Sequence, residues 1–414
     1  MFISILLQLY IGVSRISDGQ AADAFNILKE SIGYNGPEQR AMRRRFDVTT
    51  TDIAGRRLVN LLISGTTSNE PDEVVRRLGA MQAQDYLQAV WAIGLRTPSA
   101  TLAEVEHAIT EGKIALTWTL RGTIHCVPPE DVKWLLQLSA PRLLKQSVRR
   151  MEQLELDERT LERSRKIIYN ALKNRAGIPR PELLELLESE GIRTEGQRGY
   201  HILWHCAYNG LICFGPRSGK QQTFMLLDNL VEHSRELSFE ESLSVLAWRY
   251  FTAHGPATVK DFAWWGGLTL TDARTGLDAV KHKLEAEIIS GAEYWMPGTP
   301  DVESNVLSEE VHLLPGFDEY ILGYNDRSAV LEPETAPRIV PGNNGIFLPT
   351  IAAGGQILGT WKRTVKAKGV ELKFSPFKTL DPKWEDKLMQ AAERYAGFLE
   401  LPVVKTVFED GHIV

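Results

Sequence analysis

The sequence predicts an α+β protein built from tandem winged-helix units and finished by a C-terminal β-barrel. Three observations carry that expectation. A helix, helix, helix, hairpin order recurs three times between residues 46 and 304. From about Leu307 the pattern changes to short alternating apolar runs with Gly and Pro between them, which suits a small barrel. The 414 residues also exceed what one core holds, so several compact units are expected.

Composition is that of a soluble globular chain, with 43% hydrophobic and 24% charged residues. The net charge of -6 argues against a polycation, yet the charge is uneven. Residues 41–220 carry 26 Lys and Arg against 21 Asp and Glu, whereas residues 221–414 carry 18 against 28. Any phosphate binding therefore falls to a patch in the earlier part. Cys126, Cys206 and Cys213 form no Cys-x-x-Cys pair, and a reducing, cytoplasmic setting is the simplest reading.

Residues 1–45 read as an N-terminal extension. Phe2 to Val13 is apolar but has no cation ahead of it and is too short to span a bilayer. Met42, just before Arg43-Arg44-Arg45, would serve as a start. Residues 1–41 are accordingly expected to be a mis-called start or a nonessential segment.

The first unit covers residues 46–155. Asp52 begins a helix through Ile63, and Pro71-Asp72-Glu73 opens another with acidic residues at its positive end. Thr101 caps a third through Glu111. Ile114–Leu120 and Gly122–Val127 then pair as strands, before a helix that starts at Pro128-Pro129-Glu130-Asp131 and runs through Leu136. The second unit, 156–232, repeats the plan with helices over Leu161–Asn174, from Arg180-Pro181-Glu182, and over Thr194–Asn209. Its strands, Leu211–Gly215 and Thr223–Leu226, flank the polar tip Pro216–Gln222, where Arg217 and Lys220 are placed to touch phosphate. The third unit, 233–304, has helices over Ser242–Thr252, Thr258–Trp265 and from Thr269 to Lys283, then strand material in Glu287–Trp295. Residues 305–414 supply the barrel, including a strand over Gly345–Pro349, and a closing helix from Asp381 to Leu399.

Some motifs lead nowhere. Gly215-Pro216-Arg217-Ser218-Gly219-Lys220 looks like a phosphate loop, but it is one residue short, lacks Ser or Thr after Lys220 and sits inside a hairpin. No nucleotide is expected there. His201, His205, Cys206 and Cys213 fit no zinc spacing, so no metal and no other cofactor is expected.

The stretch that resists a bland reading is Met81-Gln82-Ala83-Gln84-Asp85. Gln82 and Gln84 interrupt an apolar run from Leu78 to Trp91. In extended backbone, i and i+2 share a side, so both amides would face one pocket. A capped helix start with solvated polar residues is the alternative.

Gln82-Ala83-Gln84 resembles the Gln-aliphatic-Gln motif of the AlkZ/YcaQ-type winged-helix DNA glycosylases. Arg121-Gly122-Thr123-Ile124-His125 resembles that family's Arg-Gly-Thr-aliphatic-His block. Leu313-Leu314-Pro315-Gly316-Phe317-Asp318-Glu319-Tyr320, with Arg327 after it, and Gly359-Thr360-Trp361-Lys362-Arg363 match further segments, in the family's order. The resemblance implies tandem winged helices scaffolded by a barrel, double-stranded DNA as partner, and Gln82 and Gln84 as the catalytic pair.

The chemistry is consistent with that assignment. An amide is a poor general base, but it holds a water through its carbonyl and orients a sugar or base through its NH₂. That suffices when the leaving base is an N7- or N3-alkylated purine, already cationic, whose glycosidic bond needs no acid. With no positioned Lys nucleophile, a monofunctional, monomeric enzyme without membrane contact is expected, with interstrand crosslinks among the substrates that the resemblance implies. Arg121 and His125 either approach phosphate or lesion, or make a strand-pair contact. Arg327, Lys362 and Arg363 are further DNA-contact candidates. Asp318 either lines the barrel side of the channel or, the favoured reading, joins a buried ion-pair network that holds the barrel to the helical units. The other function is a non-catalytic winged-helix DNA-binding protein or transcription regulator with structural glutamines.

Overall fold

The computed structural model describes residues 50–65, 67–231, 233–298 and 310–409. The expectations for residues 1–45 lie outside them. The chain begins with α1 (Thr50–Asn60) and α2 (Pro71–Leu78), where Pro71 occupies the first turn and Asp72 and Glu73 follow it. The two-residue strand β1 (Met81–Gln82) then leads into α3 (Tyr86–Arg96), whose N-terminus is capped by the Asp85 carboxylate accepting from the Gln88 N–H. A capped helix start is only the alternative reading of this stretch, and Ala89 to Leu95, buried all round, shows no helical stripe to favour it. Next comes α4 (Leu102–Thr110), with a full capping box between Thr101 and Glu104. The hairpin β2 (Ala115–Thr119) and β3 (Thr123–Val127) follows.

Helix α5 (Val132–Gln153) runs far beyond the expected Leu136 and carries Pro141 inside it. Pro141 and Gln137, whose carbonyl the proline ring deprives of its donor, are both exposed, so water can serve that carbonyl. The second group is α6 (Glu158–Leu172), the short strand β4 (Ile178–Pro179), α7 (Arg180–Ser189), α8 (Arg198–Tyr208), β5 (Ile212–Ser218) and β6 (Gln221–Leu226). The third is α9 (Phe239–His254), α10 (Val259–Gly266), α11 (Leu270–Val280) and the hairpin β7 (Glu285–Ile289) and β8 (Ala292–Met296).

The hairpins do not stand alone. The first two merge into one six-stranded sheet ordered β1-β3-β2-β5-β6-β4, joined through the Leu116 and Phe214 pairing. Strands β7 and β8 form a separate two-stranded ribbon, bridged at Trp295 to Ala257.

The C-terminal region corrects the barrel. Strands β9 (Val311–Leu314), β10 (Thr350–Ala353), β11 (Gln356–Lys366), β12 (Gly369–Pro376) and β13 (Val403–Phe408) form an open sheet ordered β13-β12-β11-β10-β9. Its end strands do not pair, so the ring of hydrogen bonds that defines a barrel is missing among the described residues. Gly345–Pro349 is not a strand either; pairing starts at Thr350, after Pro349. Helix α12 (Pro382–Phe398) packs against β9 and against α3. There Trp91 lies 4.9 Å from Tyr395 and 5.1 Å from Phe398, ring to ring, and donates its indole N–H to the Leu313 carbonyl. Arg96 meets Asp318 in a fully buried bidentate pair, both bonds 2.9 Å. Asp318 is therefore a structural tie between the helical part and the C-terminal part. Among the described residues no helix is long and apolar enough to cross a membrane.

Candidate active site

Strand β1 and the bend after it place the two glutamines. Met81 pairs with Cys126 and Gln82 with His125, and the Ala83 N–H continues the ladder to the Ile124 carbonyl at 2.7 Å. The ladder then changes character. The Ile124 N–H, where a backbone carbonyl would come next, donates to Gln84 Oε1 at 3.4 Å. Gln82 Oε1 accepts from Arg121 Nη2 at 3.0 Å. Both partners are pure donors, so the oxygen and nitrogen of each amide are assigned without ambiguity. Each keeps its NH₂ and a second carbonyl lone pair for other groups. Gln82 is nearly covered, whereas Gln84 is exposed.

Neither glutamine lines the narrow cleft of about 20 Å³ beside them, whose walls include Ala83, Tyr86, Leu116, Phe214, Arg217 and Gln222.

Behind Gln82 lies a buried polar cluster that the sequence reading left unassigned. The Gln82 backbone N–H donates to Glu319 Oε1 at 3.3 Å. Glu319 Oε2 accepts from His254 Nε2 at 3.1 Å and from the Trp265 indole at 2.8 Å. Burial pushes the Glu319 carboxyl up, but the His254 hydrogen bond and the charges of His254 and Arg121 outweigh it, leaving it below its usual value. Glu319 stood within the matched segment, but only the fold brings it under Gln82.

Of the two readings left open for Arg121, phosphate or lesion contact and a contact within the first unit, its bonds match the second. It is partly buried, donates to Gln82 Oε1 and to the Trp265 carbonyl, and burial draws its guanidinium below its ordinary value. Gly267 makes room for it. A Cβ there would sit 3.2 Å from Arg121 Cγ and 2.9 Å from Arg142 Nη2, and its φ of 61° already disfavours a side chain.

His125 is corrected as a DNA contact, because it has no exposed surface. Burial, then the Arg121 charge beside it, pushes the imidazole down to about 3, so it is neutral. Its Nδ1 lies 3.0 Å from the Thr123 carbonyl, while His125 Nε2 and Oγ1 of Thr117, its register partner on β2, are buried without partners among the described residues.

The remaining cations divide by exposure. Lys220 and Lys362 are exposed. Arg217 stacks on the Tyr86 ring at 4.3 Å and donates to the Lys220 carbonyl, so the tip of the second hairpin reaches the start of α3. Arg363 stands 5.8 Å over the Tyr395 ring. Arg327 is half-buried, 5.1 Å over Phe347, and donates to the Ile321 carbonyl at 2.8 Å. Its placement is that of a packing residue more than of a free phosphate contact.

The sequence reading missed the basic half of α5. Arg142, Lys145 and Arg149 fall at i, i+3 and i+7, on one face. Lys145 and Arg149 are exposed, and no carboxylate pairs with any of the three among the described residues. Arg142 donates to the Leu120 carbonyl at 3.2 Å, beside Arg121. The stripe thus starts next to the glutamines. Among the described residues no three His, Cys, Asp or Glu side chains gather into a metal site.

The chain is a mixed α+β protein in which β1 and the bend after it hold Gln82 and Gln84 against the adjoining hairpin. The fold matches the solved Streptomyces sahachiroi DNA glycosylase AlkZ, with a TM-score of 0.73 and 20% identity, covering 88% of this chain and 100% of that one. An interstrand DNA cross-link repair glycosylase from Streptomyces sahachiroi is 24% identical over 364 residues, 84% of this chain and 96% of the relative. The sequence profile of the DNA glycosylase AlkZ-like family matches residues 75–398, and the chain belongs to that family.

Proposed function

We propose that this protein is a monofunctional glycosylase that hydrolyses the bond between deoxyribose and an N7- or N3-alkylated purine in double-stranded DNA, and that interstrand crosslinks built on such bases are among its substrates. The crosslink part is supported by the activity named for the Streptomyces sahachiroi relative. The observation that carries the reading is the orientation of the two amides, Gln82 Oε1 held by Arg121 at 3.0 Å and Gln84 Oε1 facing the Ile124 N–H at 3.4 Å.

In this reading the C1′–N bond breaks first, and its electron pair neutralises the charge on the alkylated base. A water held by the amide carbonyls then adds to C1′ and releases its proton to solvent. Positioning and electrostatics are enough, because the leaving group needs no protonation. Phosphates are tracked by Arg142, Lys145 and Arg149, with Lys220 and Lys362 as outlying contacts.

We read the three helix-and-hairpin groups as winged-helix units over 46–155, 156–232 and 233–304, the first two sharing a sheet, followed by the open C-terminal sheet of 305–414. Incubating the protein with duplex DNA containing N7-methylguanine and measuring free base tests the proposal. Release of base supports it; tight binding without release would replace it with a non-catalytic DNA-binding protein.

A further inference from the structure

Resting on that reading, we infer that Arg121 and Glu319 are a positioning pair that clamps Gln82, and that Arg121 is not a phosphate contact. A glutamine amide turns about a broad two-fold terminal torsion, so an unpartnered amide samples both orientations. Arg121 Nη2, a donor only, accepts one of them by holding Oε1 at 3.0 Å. Glu319 fixes the other end of the same residue by taking its backbone N–H.

Each clamp member is itself tied down. Arg121 also donates to the Trp265 carbonyl, and Trp265 donates its indole to Glu319 at 2.8 Å. Arg121, Gln82, Glu319 and Trp265 therefore form a closed loop of hydrogen bonds across three parts of the chain. The turn that carries Arg121 is rigid as well: Leu120 is fully buried at a φ of 42°, and Gly122 follows at 89°.

Charge gives the pair a second reason to exist. A lone guanidinium beside the sugar would oppose the cation that develops there. The Glu319 carboxylate offsets the Arg121 charge, so Gln82 is held with less positive charge at its back.

Single-turnover base release and DNA affinity, measured for Gln82→Ala, Arg121→Met and the double variant, test the clamp. Arg121→Met should slow release about 10- to 100-fold at saturating DNA, with affinity and its salt dependence unchanged. The double variant should be no slower than Gln82→Ala, because Arg121 acts only through that amide. Arg121→Lys, which keeps a charge and a donor, should recover part of the rate and covers the case in which the methionine variant fails to fold. Glu319→Gln should slow release at least as much as Arg121→Met. Losses that multiply in the double variant, or weaker binding with a smaller salt slope for Arg121→Met, would overturn the clamp. Wild-type protein that releases no base, or a Gln82→Ala variant as fast as wild type, overturns the glycosylase site itself.

Discussion

The first and second hairpins share one sheet and one element order, yet they are used in opposite ways. Every residue of β2 is buried, as are four of the five in β3, and the turn between them folds Arg121 inward onto Gln82. The second hairpin ends in exposed polar residues, with Ser218 to Gln222 open to solvent. One hairpin supports the glutamine-bearing segment from behind; the other reaches outward beside it. What distinguishes them is the burial of the turn, which the presence of a cation in it does not reveal.

The largest effect expected from that contrast is on chemistry. Gln82→Ala should lower base release by about 10²-fold, the scale of losing one positioned hydrogen-bonding group, while duplex affinity stays within about twofold because phosphate contacts dominate binding. Gln84→Ala should cost less, about tenfold, since the Ile124 N–H that it leaves behind can turn to water at this exposed edge. A Gln84 variant more damaged than the Gln82 one would reverse the roles given to the covered and exposed amides.

The outward-facing cations should behave in the opposite manner. Lys145→Ala with Arg149→Ala should reduce the slope of log affinity against log salt by about 0.9 for each phosphate no longer neutralised. Lys220→Ala should do the same singly, and release at saturating DNA should be unchanged for both. A titration of affinity across a salt series measures this, and an unchanged slope would remove α5 from the DNA surface.

The last contrast concerns pH, and it is read in stability before catalysis. Unfolded, His125 takes a proton near 6.5; folded, only near 3. Its contribution to stability is therefore complete above about 6.5 and is lost as pH falls towards 3. Thermal unfolding of His125→Gln should show a shallower loss over that window than wild type. Base release itself should stay flat between about pH 6 and 9, because amides do not titrate there. A bell-shaped profile would point to an acid or base in place of the glutamines.

Much of this was readable in local chemistry. Thr101, Thr258 and Thr269 signalled helix starts, and each caps one. The paired glutamines stood out because they broke an apolar run. What stayed hidden depended on distant neighbours. Helix α3 had no polar face because α12 and β9 cover it from residues hundreds of positions away. Whether the last sheet closes depends on its edges, and β13 joins in parallel from the end of the chain with no local signal. Arg121, His125 and Glu319 read as polar residues of uncertain address until burial assigned them.

The seat of α3 also sets a timetable for synthesis. Trp91 waits for the Leu313 carbonyl, a separation of 222 residues, so at about 5–20 residues per second the helix behind the glutamines stays unmet for roughly 10–45 s. Gly94 shows how tightly the late partner fits: a Cβ there would lie 2.2 Å from the Phe398 ring. During that interval an apolar helix emerges from the ribosome without its cover. Production of this protein in a foreign host should accordingly depend on chaperone capacity and on slow growth more than on the stability of the finished fold.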